Sequence, residues 1–385
     1  MEKNEEFSFI FEKIKNFESK NQTLENKNKK FEIENKNLEK KLNEKSIELE
    51  QLNRKKSELD IKLSKSTKDF EKLNKKVIDL EKFKSDIEFI YNRGINKEKI
   101  SFEIKQFLEF YKSGITDEKR EYEIIVSLTS YPERIYEVYY TIFSLLTQNL
   151  KPNRIFLWLA EEQFPNRNRD LPKNLLQFIE SGLTIKYTND VRPYKKLIPA
   201  LREYPNAIIV TADDDIFYPS DWLEKLYNCW KSNKDCIICN SMMKAEITKD
   251  KKIIPFNDWK EIKDILESSL KNFAIGTGGV LYPPNCFYKD ICDEELFMKL
   301  VPTNDDIWFW AMAVLNDTKR KQVNNYQMDI LLINPARERN IINESCLWKI
   351  NCVNSNNQNQ IQLDNVINYY PQIMEKLLEE EKQNE

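Results

Sequence analysis

Apolar residues recur at seven-residue intervals through the first part of the chain. The series Leu24, Phe31, Leu38, Lys45, Leu52, Leu59, Ser66, Leu73, Leu80, Ile87 is apolar at eight of ten positions. The series offset by four, Asn28, Asn35, Leu42, Leu49, Lys56, Leu63, Phe70, Val77, Lys84, is apolar at five of nine. A register that holds over so many heptads predicts a left-handed coiled coil over 1–93. Asn28 and Asn35 on the seam favour a parallel homodimer. At ~1.5 Å per residue the rod reaches on the order of 95 Å. A solvated single helix is the plainer alternative. Gly94 is expected to end the rod. Residues 94–120 form a helical linker with Ile100, Ile104, Phe107, Leu108 and Tyr111 on one face.

From Glu121 the pattern changes to short apolar runs separated by helical periods. Strands are predicted at Tyr122–Thr129, Arg154–Ala160, Leu183–Tyr187 and Ala207–Ala212. Helices are predicted at Glu133–Gln148, Pro172–Glu180 and Tyr194–Glu203. Near-continuous apolar strands alternating with helices imply an α/β domain, 121–350, with a mostly parallel sheet covered on both faces. Ligands of such sheets sit beyond the carboxyl ends of the strands. Residues 351–385 read as a polar C-terminal tail, Asn/Gln-rich over 351–365 and a short charged helix or a frayed end over 371–385.

Composition sharpens the division. All 14 Pro and all 7 Trp lie from Pro132 onward, and residues 1–131 hold only two of the six Gly. The chain of 385 residues contains no His, which removes Ser-His-Asp triads, Cys-His pairs and His-ligated zinc. A formal charge of −3 argues against nucleic acid as a partner. No apolar run approaches the ~20 residues of a membrane span, and the acidic start MEKNEEF is not a signal peptide. The expectation is a soluble cytoplasmic protein without a transmembrane segment, at most peripheral at the inner membrane face. The seven Cys all fall at or after Cys229, and Cys236-x-x-Cys239 lacks the second pair a zinc site needs, so reduced core thiols are expected.

Four clusters could carry chemistry. Asp213, Asp214 and Asp215 follow the fourth apolar strand directly. On an extended chain Asp213 and Asp215 would point the same way and Asp214 the other, and such a pair suits Mn²⁺ or Mg²⁺. A solvated acidic turn or a helix cap is the alternative. Thr303-Asn304-Asp305-Asp306 leads into the apolar run IWFWAMAVL, where one Asp would cap a helix and the other face a cleft as an ionised base. Gly276-Thr277-Gly278-Gly279 gathers three of the six Gly, implying a backbone constraint or close approach to a ligand. Arg192, Lys195 and Lys196 after the third strand, with Arg134 after the first, could neutralise a diphosphate.

In this order the segments VSLTSYPERI, VTADDDIFYPSDWLEKLY, GTGGVLYPP and TNDDIWFW resemble the GT-A fold glycosyltransferases related to family 2 (nucleotide-diphospho-sugar transferase, Rossmann-like), over about Glu123 to Leu315. The resemblance implies a nucleotide-sugar donor and a glycan or lipid-linked acceptor, as in cell-surface polysaccharide synthesis. It implies Asp213 and Asp215 on Mn²⁺ or Mg²⁺, and Asp214 near the ribose or sugar. It implies Thr129, Tyr131 and Arg134 in the nucleotide pocket, and Lys195 and Lys196 near the phosphates. Gly278 and Gly279 would lie on the acceptor side, and Asp306, or Asp305, would be the catalytic base of an inverting reaction. The late His that serves some members as a metal ligand is missing here. A nucleotidyltransferase would share the nucleotide-plus-metal logic, but its Gly-rich basic loop is absent near the first strand. A coiled-coil scaffold with a non-catalytic sugar-binding head is the non-enzymatic alternative.

Overall fold

The computed structural model describes residues 2–110, 113–261, 267–323, 331–338 and 357–384. It divides into two compact units, Met1–Lys84 and Ser85–Glu385. Helix α1 runs without a break over Glu2–Arg93. The absence of Pro and of Gly before position 94 permits this length. Within the first unit the heptad residues Leu24, Phe31, Leu38, Leu52, Leu59, Leu73 and Leu80 are all exposed. The helix ends at Gly94 as expected, where Ile95 N turns to donate to Leu332 O at 3.2 Å.

In the second unit, α2 (Lys97–Phe110) buries Ile100, Ile104 and Phe107, the predicted apolar face. Phe107 packs edge-on against Phe143 at 5.7 Å between centroids. Tyr111 lies outside the described residues. The four predicted strands are present as β1 (Ile124–Thr129), β2 (Arg154–Ala160), β3 (Leu183–Thr188) and β4 (Ile208–Ala212). They pair in parallel in the order β3-β2-β1-β4. The connecting helices are shorter than predicted: α3 is Val138–Leu146, α4 Lys173–Leu176 and α5 Ile198–Glu203. Turns occupy 132–137 ahead of α3, where the N–H groups of Arg134 and Ile135 both donate to Tyr131 O. That turn, not a helix, carries Arg134.

Beyond the acidic run come β5 (Ile216–Phe217), α6 (Trp222–Lys231), β6 (Cys236–Lys244), β7 (Lys260–Glu261) and β8 (Asn272–Tyr282). After them come α7 (Glu294–Leu300), α8 (Asp305–Leu315), β9 (Lys319–Gln322) and β10 (Leu331–Leu332). β8 adds to β4 and β6 to β8, both antiparallel, with β9 parallel on β6. The result is the mostly parallel α/β sheet expected, preceded by a long helix. Alternate residues serve its two faces, as the pleat requires. Ile124, Val126 and Leu128 of β1 join a core with α2, α3 and α6. Ile125 joins the other core, with Trp308 and Phe309 of α8. Cys236 and Cys239 fall into these two different cores, so they cannot form a joint site.

Residues 358–384 include the helix expected after 371 but correct the expectation of a polar tail, because they pack an apolar stripe into the core. They form α10 (Gln358–Tyr369) and α11 (Gln372–Asn384), after a short α9 (Pro335–Glu338). Leu363, Val366, Tyr370, Ile373 and Leu377 are buried in the core that holds α8. Their spacing of three and four residues is a helical stripe, masked in the sequence by Asn and Gln between its members. Residues 339–356, which include the boundary expected at 350, lie outside the described residues.

Candidate active site

A cleft of ≈ 490 Å³ opens where β1 and β4 end. It is lined by Thr129, Tyr131, Arg134, Lys195, Lys196, Asp213, Asp214, Asp215, Asp305 and Asp306. Residues from four separate stretches of sequence thus converge at the carboxyl edge of the parallel strands. Gly276 and Thr277 also line the cleft. β8 pairs with β4 only over Val280–Tyr282, so its earlier residues run past the end of β4.

The acidic run is a turn between β4 and β5, not an extended chain. Strict alternation of side chains therefore fails here. Arg134 Nη1 lies 2.8 Å from both Asp214 Oδ1 and Asp215 Oδ2. Ser130 Oγ donates to Asp214 Oδ2 at 2.5 Å. Asp214 is therefore an internal anchor with both carboxylate oxygens engaged. Asp213 turns towards Lys196, whose Nζ stands 3.6 Å from Asp213 Oδ1 and 3.1 Å from Asp305 Oδ2. The turn's backbone is pinned at each residue. Asp213 N donates to Tyr218 OH, Thr141 Oγ1 donates to Asp214 O, and Ile333 N donates to Asp215 O.

The opposite wall is the N-terminus of α8. Neither Asp is its cap: Asn304 Oδ1 accepts from Ile307 N at 3.3 Å. Both Asp305 and Asp306 are thereby left to face the cleft. Gly276 N donates to Asp306 Oδ2 at 2.9 Å. A Cβ at Gly276 would stand 2.9 Å from Asp306 Oδ1 and 3.0 Å from Lys196 Nζ, so a side chain there would push on the charged ends of both. Gly278 and Gly279 do not line the cleft. Both have positive φ, and Gly278 O accepts from Trp222 Nε1 and Asn240 Nδ2. A Cβ on Gly279 would meet Trp222 Cζ2 at 2.5 Å, so the glycine pair serves a kink in β8 packed on an indole.

Electrostatics follow from burial. Six carboxylates line the cleft (Asp190, Asp213, Asp214, Asp215, Asp305 and Asp306) against four cations, Arg134, Arg192, Lys195 and Lys196. Burial, then the charge of Asp305, pushes Asp306 up to about 7. Lys196 and the Gly276 N–H favour its ionised form, and burial and Asp305 oppose it. Burial also raises Asp213 to about 6, with Asp215 and Asp214 adding to the rise and Lys196 opposing it. Burial works to lower Lys196, but Asp305, Asp213 and Asp306 outweigh it and keep the ammonium charged. Lys195 pairs with Asp190, which also accepts from Gln163 Nε2. Ser130, Asp190 and Gln163 were not singled out from the sequence. Ser130 and Asp190 stand inside segments that were, and the polar residue following each strand was the available signal.

The donor set bears on a metal. Among the described residues no three His, Cys, Asp or Glu form a group that could hold one. Asp213 and Asp215 offer hard oxygens suited to Mg²⁺ or Mn²⁺, and the cleft carries excess negative charge. Two carboxylates fill only part of an octahedral shell. Asp213 faces Lys196 and Asp215 faces Arg134, so an ion held by the two would have to compete with these cations and take its remaining ligands from phosphate oxygens and water.

No protein-family model and no curated protein matches the chain. Two solved structures are distantly similar to part of the chain. One is 4-diphosphocytidyl-2C-methyl-D-erythritol synthase from Anaerococcus prevotii DSM 20548, at 14% identity and TM-score 0.36, over 57% of this chain and 93% of that one. The other is S. aureus TarS 1-349 in complex with UDP, at 11% identity and TM-score 0.33, over 53% of this chain and 58% of that one. Likeness at this level carries no argument about chemistry, which rests on the cleft itself. No helix among the described residues is long and apolar enough to cross a membrane.

Proposed function

We propose that the protein is a glycosyltransferase that moves a sugar from a nucleotide-diphosphate donor to a hydroxyl acceptor. One observation carries the reading. Lys196 ties the acidic turn after β4 to the acidic N-terminus of α8, so the partly buried Asp306, whose carboxyl is pushed up to about 7, shares one cleft with the cations Arg134, Lys195 and Lys196. Asp306 would take the proton of the acceptor hydroxyl as its oxygen bonds to the anomeric carbon. The bond from that carbon to the diphosphate oxygen breaks, and the nucleoside diphosphate leaves. A single displacement of this kind inverts the anomeric centre. Arg134, Lys195 and Lys196 would balance the developing phosphate charge, with Thr129 and Tyr131 beside the nucleotide. Asp213 and Asp215 would hold Mn²⁺ or Mg²⁺, which when bound supplies Lewis-acid stabilisation to the leaving group. For the acceptor we propose a glycan or lipid-linked sugar in cell-surface polysaccharide synthesis, as the sequence resemblance implies.

A panel of nucleotide sugars with Mn²⁺, read by released nucleoside diphosphate, tests the reading. Release from one donor, increased by an acceptor sugar, is the expected result. Pyrophosphate release from a nucleoside triphosphate and a sugar phosphate would instead establish a nucleotidyltransferase. No turnover and no nucleotide binding would leave a scaffold.

The exposed heptad seam of α1 needs cover, and its period matches that of a second copy. We propose a parallel homodimer through this helix. Deletion of residues 1–84, the first unit, should convert a dimer to a monomer in light scattering while turnover per chain is retained. A deleted protein of dimer mass would move the interface to the second unit.

A further inference from the structure

The two C-terminal helices approach the catalytic wall with buried amides. Asn359 and Gln362 of α10 are 3% and 2% exposed. A carboxamide buried this deeply costs stability unless it is hydrogen-bonded. Here the bonds reach the two residues that precede the acidic pair. Gln362 Oε1 accepts from Thr303 N at 2.8 Å and from Thr303 Oγ1 at 3.1 Å. Asn304 Nδ2 donates to Asn359 Oδ1 at 2.8 Å, while Asn304 Oδ1 caps α8. Asn365 Nδ2 adds a bond to Leu300 O at 3.2 Å. Leu363 and Val366 of α10 share the core with Ile307 and Trp308 of α8.

The amides therefore do more than pack. Apolar side chains of the same size would fill the space without fixing Thr303 and Asn304. We infer that Asn359 and Gln362 are positioning residues, which set the first turn of α8 and so aim Asp305 and Asp306 into the cleft. The inference rests on the reading of Asp306 as the base. It assigns residues 358–369, none of which lines the cleft, to the precision of proton transfer.

The test uses the full chain. Gln362→Met keeps length and apolar volume but removes the acceptor. The variant should bind nucleoside diphosphate normally and leave donor KM unchanged. Its kcat should fall about 10- to 100-fold, the scale of a small misplacement of a reacting group. The pH at which kcat is half-maximal should move as well, which simple loosening of the fold would not cause. Gln362→Glu in its protonated form keeps both an acceptor for Thr303 and a donor towards Gln358 O, and should recover part of kcat at the acid end of the profile. Should Gln362→Met fail to fold, Thr303→Val removes one of the same bonds from the other side, and a several-fold loss of kcat is expected. A folded variant with wild-type kcat and pH profile overturns the inference. So does loss of nucleotide binding in parallel with kcat without rescue by Glu, since that marks a structural role only. If the wild type transfers no sugar at all, the proposed function fails, but the clamp is still tested. Hydrogen exchange of the 303–309 amides should then accelerate in Gln362→Met, and unchanged exchange overturns it.

Discussion

Asp306→Asn should lower sugar transfer by about 10²–10⁴-fold, the usual contribution of a positioned general base, while nucleotide binding persists. The side chain keeps its size, and one of its oxygens can still accept from Gly276 N. What disappears is the capacity to take a proton. In the wild type, kcat/KM should rise with pH through an apparent pKa near 7, because burial and then Asp305 raise Asp306 to about 7. The same shift has a cost in stability. The folded-state pKa lies above the ordinary value of 3.8, so the folded protein holds a proton that the unfolded chain releases. This contribution is fully present at low pH and is lost as pH rises through about 7. Asp306→Asn should therefore melt higher than the wild type at pH 8 and differ little at pH 4. A variant that keeps its rate, or that melts lower at pH 8, would remove Asp306 from the role of base.

The double substitution Asp213→Asn with Asp215→Asn should abolish the thermal stabilisation that Mn²⁺ and a nucleoside diphosphate confer together. For a ligand at 100 times its Kd that stabilisation is about 2.7 kcal/mol. Turnover should drop about 10²-fold or more, since a Lewis acid supplies several kcal/mol at a transferring phosphate. The two carboxylates now balance Lys196 and Arg134. The variant brings the cleft from six carboxylates against four cations to four against four, so metal-independent nucleotide binding should persist or strengthen. Burial first, then the neighbouring carboxylates, raises Asp213 to about 6. Protons should accordingly compete with the metal below that pH, and the wild-type shift should fade there. An undiminished Mn²⁺-dependent shift in the double variant would place the ion elsewhere.

Local periodicity made much of this molecule legible. The heptads predicted α1 to within a residue of its end, because a Pro-free helix is decided by neighbours three and four positions away. The four parallel strands were legible because strands covered on both faces must be apolar throughout. The residue types of the cleft were legible for a related reason. Charged residues directly after buried strands have few structural uses, and Thr129, Arg134, Lys195, Lys196, Asp213 and Asp306 do line one cavity.

Other features depended on contacts between residues far apart in sequence. The antiparallel β8 and its overhang past β4 are a matter of pairing partners, which no local pattern encodes. The direction of each Asp in the acidic turn was decided by Arg134, Ser130 and Lys196, and alternation failed once the chain turned. Asn304 rather than Asp capped α8, and burial together with Asp305 raised the carboxyl of Asp306.

By itself the sequence determined the long helix, the apolar strands and which charged groups follow them, since these depend on spacing along the chain. Only the tertiary structure decided which carboxylate meets which cation, and that residues 358–384 are core and not tail. Ion pairing and burial depend on distance in space, and folding brings together groups that the chain separates by dozens of residues.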